Sequence, residues 1–278
     1  MLQLLLLFVM VRADAAADDF AAALAEGDAH YARRAEGATG ATALPAAADA
    51  SMVAYRRALA LDPQSNAARW RLIRSLFFRA NFCGTQAERR KPLVEEARRV
   101  GDAGIAPLEA RVGSRKGKAR IAALAPVPDV ALLYFWAAVA WGDWAQTRSK
   151  LAAARAGAAG RIRDLGQIVL DLDPGLEQGG GDRILGRLHD QAPHILFLTG
   201  WISREAALNH LRRALEHGPK NTVNMVFLAE AILDHDPGRK AEARRLLETC
   251  AAAPPRPAYL VEDAYYADLS RQRLAKLR

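Results

Sequence analysis

The chain has few of the residues that build common catalytic and metal sites. Its two cysteines, Cys83 and Cys250, lie 167 positions apart, so they do not form the closely spaced pairs of a zinc site. Its six histidines are scattered, and none forms the His-Glu-x-x-His pattern of zinc proteases. The Gly-x-Ser-x-Gly turn of hydrolases is also absent. We therefore predict a protein that is not an enzyme and that binds no metal or cofactor.

The closest approach to a phosphate-binding loop is the glycine run at residues 179–181. Such a loop needs glycines that expose backbone N–H groups, followed by a lysine and a serine or threonine. Here Asp182 and Arg183 follow the glycines, and no strand pattern precedes them. The run therefore predicts a turn that leads into a helix.

Strand patterns and long apolar runs are scarce. The nearest strand candidate, residues 195–198, is too short to support a sheet. Alanine and leucine dominate a composition that is 51% hydrophobic, and arginine and glutamate fall on opposite helix faces, which favours helix throughout. These patterns predict an all-α protein.

The formal net charge is +8 and the isoelectric point is about 9.8. A basic surface for nucleic acid or an anionic membrane is one interpretation. However, the positive residues are interleaved with acidic ones, and the one dense basic stretch, residues 111–120 (RVGSRKGKAR), has no aromatic side chains to stack on bases. The pattern is more typical of solvated helix faces, and we predict no nucleic-acid partner.

A short phrase recurs along the chain and ends each time at a proline. It reads AYRRALALDP at residues 54–63 and NHLRRALEHGP at 209–219, with weaker copies at 163–174 (RDLGQIVLDLDP) and 244–255 (RRLLETCAAAPP). Small or apolar residues three and four apart, followed by proline, are typical of the second helix of a tetratricopeptide repeat.

The offsets within three copies agree with this interpretation. The repeat requires small residues five and twelve positions before the proline, where helices approach closely, and a larger residue eight positions before it. The copy that ends at Pro174 fits poorly and predicts a degenerate repeat. At the other prolines the matching residues are Ala58, Tyr55 and Ser51; Ala214, Leu211 and Ala207; and Cys250, Leu247 and Ala243.

The spacing of the four prolines, at 111, 45 and 36 residues, is uneven, and the long first gap leaves room for two or three divergent helix pairs. We predict about a dozen helices, stacked as tetratricopeptide-like hairpins into a superhelical or compact solenoid. This single domain is expected to span residues 18–278. Within it we predict a helix that breaks near Pro107, a loop at 112–128, and a turn at 141–144.

The N-terminal residues 1–17 resemble a secretory signal. An apolar run at residues 2–11 is too short to cross a bilayer, and Ala13-Asp14-Ala15 forms a suitable cleavage site. No basic residue precedes the run, which is atypical, and a buried first helix is the alternative. No cysteine follows the run, so we predict an exported, periplasmic protein that is not a lipoprotein.

Aromatic residues cluster on two predicted helices and form the candidate binding site. They could line a groove or pore for an apolar small molecule or a partner helix, or they could form the core between helices. The candidate residues are Trp70, Arg74, Phe77, Phe78, Tyr134, Trp136 and Trp141.

The order of several phrases resembles the T-component family of TRAP transporters over residues 46–275. The first phrase, RWRLIRSLFF, is also similar to tetratricopeptide regulators of microtubule dynamics. The matching phrases are RWRLIRSLFF at 69–78, YFWA at 134–137, WG at 141–142, LDP at 172–174, GGG at 179–181, RILGRL at 183–188, the segment 206–219, FLAE at 227–230 and ED at 262–263.

The TRAP resemblance implies a periplasmic, non-enzymatic accessory that contacts a solute-binding protein and holds a hydrophobic ligand. Some members are lipid-anchored trimers, and this sequence leaves homo-oligomerisation open. The alternative is a cytoplasmic tetratricopeptide module that docks peptides in its concave face and holds a carboxylate with Arg69, Arg71 and Arg74.

Overall fold

The computed structural model describes the backbone of residues 2–195 and 199–277, and the side chains from residue 16 within those ranges. Within this part of the chain there are thirteen α-helices, two single-turn 3-10 helices and no strand beyond one bridge between Thr39 and Thr42. The all-α prediction and the expected number of helices are confirmed. Most of the strand candidate at 195–198 lies outside the described residues. The α-helices are α1 (Leu2–Ala32), α2 (Pro45–Leu61), α3 (Asn66–Phe82), α4 (Ala87–Val112), α5 (Gly117–Leu124), α6 (Val130–Gln146), α7 (Lys150–Arg155), α8 (Ala158–Leu172), α9 (Gly180–Gln191), α10 (Arg204–His217), α11 (Thr222–His235), α12 (Lys240–Ala252) and α13 (Leu260–Lys276).

The long helices form two layers. Helices α3, α6, α9, α11 and α13 contact one another in that order, and α13 also contacts α3. Helices α4, α8, α10 and α12 lie outside them, and each packs on the inner helix before it and on the inner helix after it. Helix α2 also lies outside and packs between α1 and α3. The stack of helix pairs therefore closes into a ring of five inner helices.

The four proline phrases all lie on outer helices. Helices α2, α8, α10 and α12 end two or three residues before Pro63, Pro174, Pro219 and Pro255. The gap between the first two prolines holds two helix pairs, α3 with α4 and α6 with α8. All nine residues that match the repeat offsets at the other three prolines are 0% exposed, so the predicted positions are the ones that pack.

Glycines on the preceding helices let two of these large residues come close. A Cβ atom at Gly27 would lie 2.4 Å from Cε1 of Tyr55, and a Cβ at Gly186 would lie 2.6 Å from Cγ of Leu211. Real Cβ atoms do not approach so closely, and the tight packing of protein interiors leaves little room for either neighbour to shift. The helix pairs α1–α2 and α9–α10 thus depend on glycine.

Three local predictions are wrong. Helix α4 runs through Pro92 and Pro107 without a break, because the buried face that includes Ile105 and Leu108 outweighs the lost backbone hydrogen bonds. The expected loop at 112–128 contains α5, whose Leu124 is fully buried. The glycines and lysines on which the loop prediction rested are exposed, and they do not reflect the buried side of this segment.

Helix α6 also continues past the turn expected at 141–144. It ends at Gln146, since Trp141 and Asp143 are buried within it. The indole Nε1 of Trp141 donates to Oδ1 of Asp102, 2.8 Å away on α4. The chain turns instead at residues 147–149.

The ring closes where α13 meets the start of the chain. The guanidinium of Arg34, just after α1, donates to Oε1 of Glu262 at 2.9 Å and to the carbonyl of Ala258. The rings of Phe82 and Tyr265 meet edge-on with centroids 5.5 Å apart. The ion pair thus joins the last inner helix to the segment after α1, and the aromatic contact joins it to the first inner helix, α3.

A matched pair of glycine substitutions tests the close approach of the helices. Gly186→Ala should lower the free energy of unfolding by about 1–3 kcal/mol, because the new Cβ must displace Leu211. Gly142→Ala on α6 has nothing within 4 Å of its Cβ, and should raise the free energy by about 0.5–1 kcal/mol through helix propensity. Urea unfolding measures both, and stabilisation by both would contradict this account.

Candidate functional site

Aromatic and arginine side chains from all five inner helices form a continuous circuit that links one helix to the next. We call this circuit the inner belt. It consists of Phe77, Phe82, Phe135, Trp136, Arg183, Arg187, Phe227, Tyr265 and Tyr266.

The first half of the inner belt crosses from α3 to α9. Phe82 and Phe77 have ring centroids 6.0 Å apart, and Phe77 lies 5.9 Å from Trp136 on α6. Trp136 meets Phe135 edge-on at 5.2 Å. The guanidinium carbon of Arg183 then lies 5.7 Å from the centre of the Phe135 ring, within the range of a cation–π contact.

The second half returns from α9 to α13. Arg187 lies one helix turn further along α9, and its guanidinium carbon is 4.3 Å from the ring centre of Phe227 on α11. Phe227 contacts Tyr266 at 6.1 Å, and Tyr266 contacts Tyr265 at 5.2 Å. The contact of Tyr265 with α3 described above completes the circuit.

The inner belt is only partly buried. Tyr265 is 41% exposed, and Phe77, Phe227 and Tyr266 are intermediate between buried and exposed. Burial nevertheless raises the pKa of the Tyr266 hydroxyl above its usual range. Partly exposed aromatic rings offer contact area to an apolar ligand.

Carboxylates neutralise one of the two arginines of the inner belt. Nη1 of Arg187 lies 2.8 Å from Oδ2 of Asp190 and 2.9 Å from Oε2 of Glu230. Glu230 also pairs with Arg273 at 2.6 Å. This part of the inner belt has its charges balanced within the chain.

The other arginine, Arg183, is held by uncharged acceptors. Its Nη1 donates to the backbone carbonyl of Glu177 at 3.1 Å and to Oδ1 of Asn224 at 2.9 Å. No carboxylate oxygen of a described residue lies within 4 Å of this guanidinium. Burial lowers the pKa of Arg183, although the charge of Glu177 partly opposes that shift.

An unusual turn presents the carbonyl groups that hold Arg183. Glu177, Gln178 and Gly179 have consecutive positive φ values of 49°, 58° and 83°, a strained conformation for the first two. The buried amide of Asn224 donates to the carbonyl of Gln178 at 3.0 Å. The glycine run thus forms the predicted turn into a helix, and its loop positions Arg183.

Two of the predicted site residues, Phe77 and Trp136, contact each other in the inner belt. Trp70 and Arg74 form a separate pair near α1, where the Arg74 guanidinium carbon lies 4.7 Å from the Trp70 ring centre and 3.9 Å from that of Tyr31. The structure therefore divides these four residues between two places.

The remaining three predicted residues lie elsewhere. Phe78 and Tyr134 are at most 1% exposed and belong to the core. Burial raises the pKa of the Tyr134 hydroxyl. Trp141 packs with Trp144 at 5.4 Å on the side of α6 that faces Asp102. The seven residues do not form one site.

Sequence reasoning missed most of the inner belt. Phe82, Phe227 and the pair Tyr265 and Tyr266 lie on three different helices, outside the two aromatic stretches that mark the predicted site. Their common feature is a position on inner helices of successive repeats, which requires the register of every repeat to be known. Arg183 follows the glycine run and begins the matching phrase RILGRL, but neither feature predicts a ligand-binding role for it.

Other polar clusters hold helices together. Oδ1 of the buried Asp182 accepts from Arg213 at 2.8 Å and lies 2.7 Å from Nδ1 of His210, which joins α9 to α10. The hydrogen bonds from His210 and Arg213 outweigh burial and lower the pKa of Asp182. In the described residues, no group of three or more histidine, cysteine or acidic side chains could hold a metal ion.

No protein-family model matches this sequence, and no curated protein is significantly similar to it. Among the described helices, none is both long enough and apolar enough to cross a lipid bilayer.

Asp263 fixes α13, which carries two belt tyrosines, to its neighbours. Its carboxylate is 2% exposed and accepts from Thr222 on α11 at 2.6 Å and from Arg256 at 2.7 Å. Burial alone would raise its pKa, but these hydrogen bonds outweigh burial, and the pKa is lowered.

The stability contribution of Asp263 should depend on pH. Its lowered pKa means that the stabilisation is present above the unfolded value near 3.9 and is lost as the pH falls through the folded value. Asp263→Asn should lower the free energy of unfolding by about 2 kcal/mol at pH 7. The difference in this free energy between the variant and the wild type should shrink below about pH 4. Urea unfolding across this range measures it. Asp164→Asn, at a 59% exposed side chain, is the control, and a difference for Asp263→Asn that does not change with pH would contradict the assignment.

Proposed function

We propose that this chain is a non-enzymatic helical-repeat binding protein whose inner belt holds an apolar small molecule and whose outer surface docks a protein partner. The observation that carries the proposal is the closed circuit of aromatic and arginine side chains from all five inner helices, in which Phe77, Phe227, Tyr265 and Tyr266 are partly exposed. A core that served stability alone would bury such rings fully.

The ring arrangement suits binding. Each inner helix supplies at least one side chain to the inner belt, and the ion pair between Arg34 and Glu262 links the ends of the stack. A binding surface built on packed helices is more rigid than one built on loops. A ligand in the inner belt would therefore meet a preformed surface.

The TRAP T-component resemblance adds the class of partner and the location to this proposal. It implies an exported protein that contacts a solute-binding protein and passes a hydrophobic ligand. The phrases that carry it include residues of the inner belt, Phe77, Trp136, Arg183 and Phe227. We propose that the chain acts in this way in the periplasm.

The alternative of a peptide clamp has less support from the arginines named for it. Arg71 donates to Asp28 at 3.0 Å, and Arg74 stacks on Tyr31. Arg69 donates to the backbone carbonyl of Pro63. Arg71 and Arg74 are thus engaged within the chain, and Arg69 alone does not make the three-arginine clamp that this alternative requires.

Binding of a neutral fluorescent probe tests the proposed ligand site. N-phenyl-1-naphthylamine should bind the purified protein with increased fluorescence, and Tyr265→Ser should weaken its affinity about threefold to tenfold by removing aromatic contact. Val53→Ser, at a 63% exposed position on α2, is the matched control and should leave the affinity unchanged. The absence of probe binding, or equal loss in both variants, would contradict the proposal.

The location is tested separately by the N-terminus of the protein expressed in a Gram-negative host. Processing near residues 15–17 and release with the periplasmic fraction are expected for an exported protein. N-terminal sequencing of the purified protein detects the cut, and an intact Met1 found only in the cytoplasm would favour the peptide-docking alternative.

A further inference from the structure

Among four arginines around the inner belt, Arg183 differs from the rest. Arg187, Arg256 and Arg273 each lie within 3 Å of a carboxylate oxygen. Within the described part of the chain, Arg183 has only carbonyl and amide oxygens as hydrogen-bond acceptors. A guanidinium withdrawn from water without a counter-ion is costly, so this charge is available for an external partner.

The guanidinium of Arg183 is already oriented. All its hydrogen bonds to the described residues use Nη1, which leaves Nε and Nη2 to donate elsewhere. Neither of these two atoms is completely buried. Nε and one N–H of Nη2 point in the same direction from the planar group, the arrangement that binds a carboxylate through both oxygens.

The surroundings of Arg183 are apolar and closely packed. A Cβ at Gly180 would lie 2.6 Å from Cε2 of Phe135, so the ring beneath the guanidinium is fixed against the start of α9. The rings of Phe135 and Trp136 are almost fully buried, and Phe77 beyond them is partly exposed. A ligand anchored at Arg183 would lay the rest of its body along these rings towards Phe77.

We propose that Arg183 is an anion subsite of the inner belt and that it binds the carboxylate of an organic acid with an apolar body. This proposal rests on the inner belt being a ligand site, and it deepens that function by naming the ligand class. A bidentate, charge-assisted contact at a partly desolvated arginine favours the acid over a neutral molecule of the same shape.

A matched pair of ligands distinguishes the contribution of the carboxylate charge to affinity from that of the apolar body. Octanoate and octan-1-ol share a chain length, and each is titrated against protein loaded with N-phenyl-1-naphthylamine at pH 7. In the wild type, octanoate should displace the probe at a concentration about tenfold or more below that of octanol. In Arg183→Gln the ratio should fall to about one, while octanol displaces the probe as before.

Two further variants guard against a purely structural effect. Arg183→Lys keeps the charge without the bidentate geometry and should retain part of the preference for octanoate. Arg57→Gln removes an exposed arginine on α2 that pairs with Glu26 and should keep the full preference. Since the ratio is measured within each variant, a general loss of affinity does not change it.

The outcomes distinguish this proposal from the one it rests on. If the probe binds but octanoate and octanol compete equally in the wild type, or if Arg183→Gln keeps the preference, the anion subsite is refuted while the apolar site stands. If neither the probe nor either ligand binds, both proposals fail. Loss of the preference in Arg183→Gln alone supports the anion subsite.

Discussion

The close approach of paired helices is the constraint on which the rest of this structure depends. It is made by small residues on the outer helices, such as Ala58, Ala214 and Cys250, all fully buried, and by glycines opposite the larger ones. Small side chains at a helix contact allow the backbones to approach, and the larger neighbours fill the space that remains. Because each pair is packed in this way, the angle between successive pairs is fixed, and it accumulates along the stack.

The accumulated rotation brings the last inner helix back to the first. Once α13 contacts α3, residues that are far apart in sequence become neighbours, and Arg34 can pair with Glu262 across 228 positions. The inner belt arises from the same closure. Each helix contributes one or two rings or guanidinium groups, and no single helix contains enough of them to form a binding surface. The site is thus a property of the closed stack.

The fold could be read from the sequence to the level of its repeats, because small residues, large residues and prolines recur at offsets set by helix geometry. The uninterrupted course of α4 through Pro107 could not, because burial of Ile105 and Leu108 by other helices decides it. The candidate site was found only where aromatics cluster locally, at Phe77 and Trp136. Tyr265 and Phe227 lie outside those aromatic stretches, and only the ring closure and the register of the repeats bring them into the circuit.

The structure around Arg183 argues against a purely structural function for the inner belt. Two non-glycine residues, Glu177 and Gln178, adopt left-handed conformations that each cost on the order of 1 kcal/mol, and the fully buried Asn224 uses its amide to hold both the turn and the guanidinium. A neutral side chain at position 183 would avoid the cost of withdrawing a charge from water. Backbone strain, a buried amide and an arginine without a carboxylate partner in the described residues therefore meet at one point of the inner belt. This is the arrangement expected under the proposal that a ligand brings the missing negative charge.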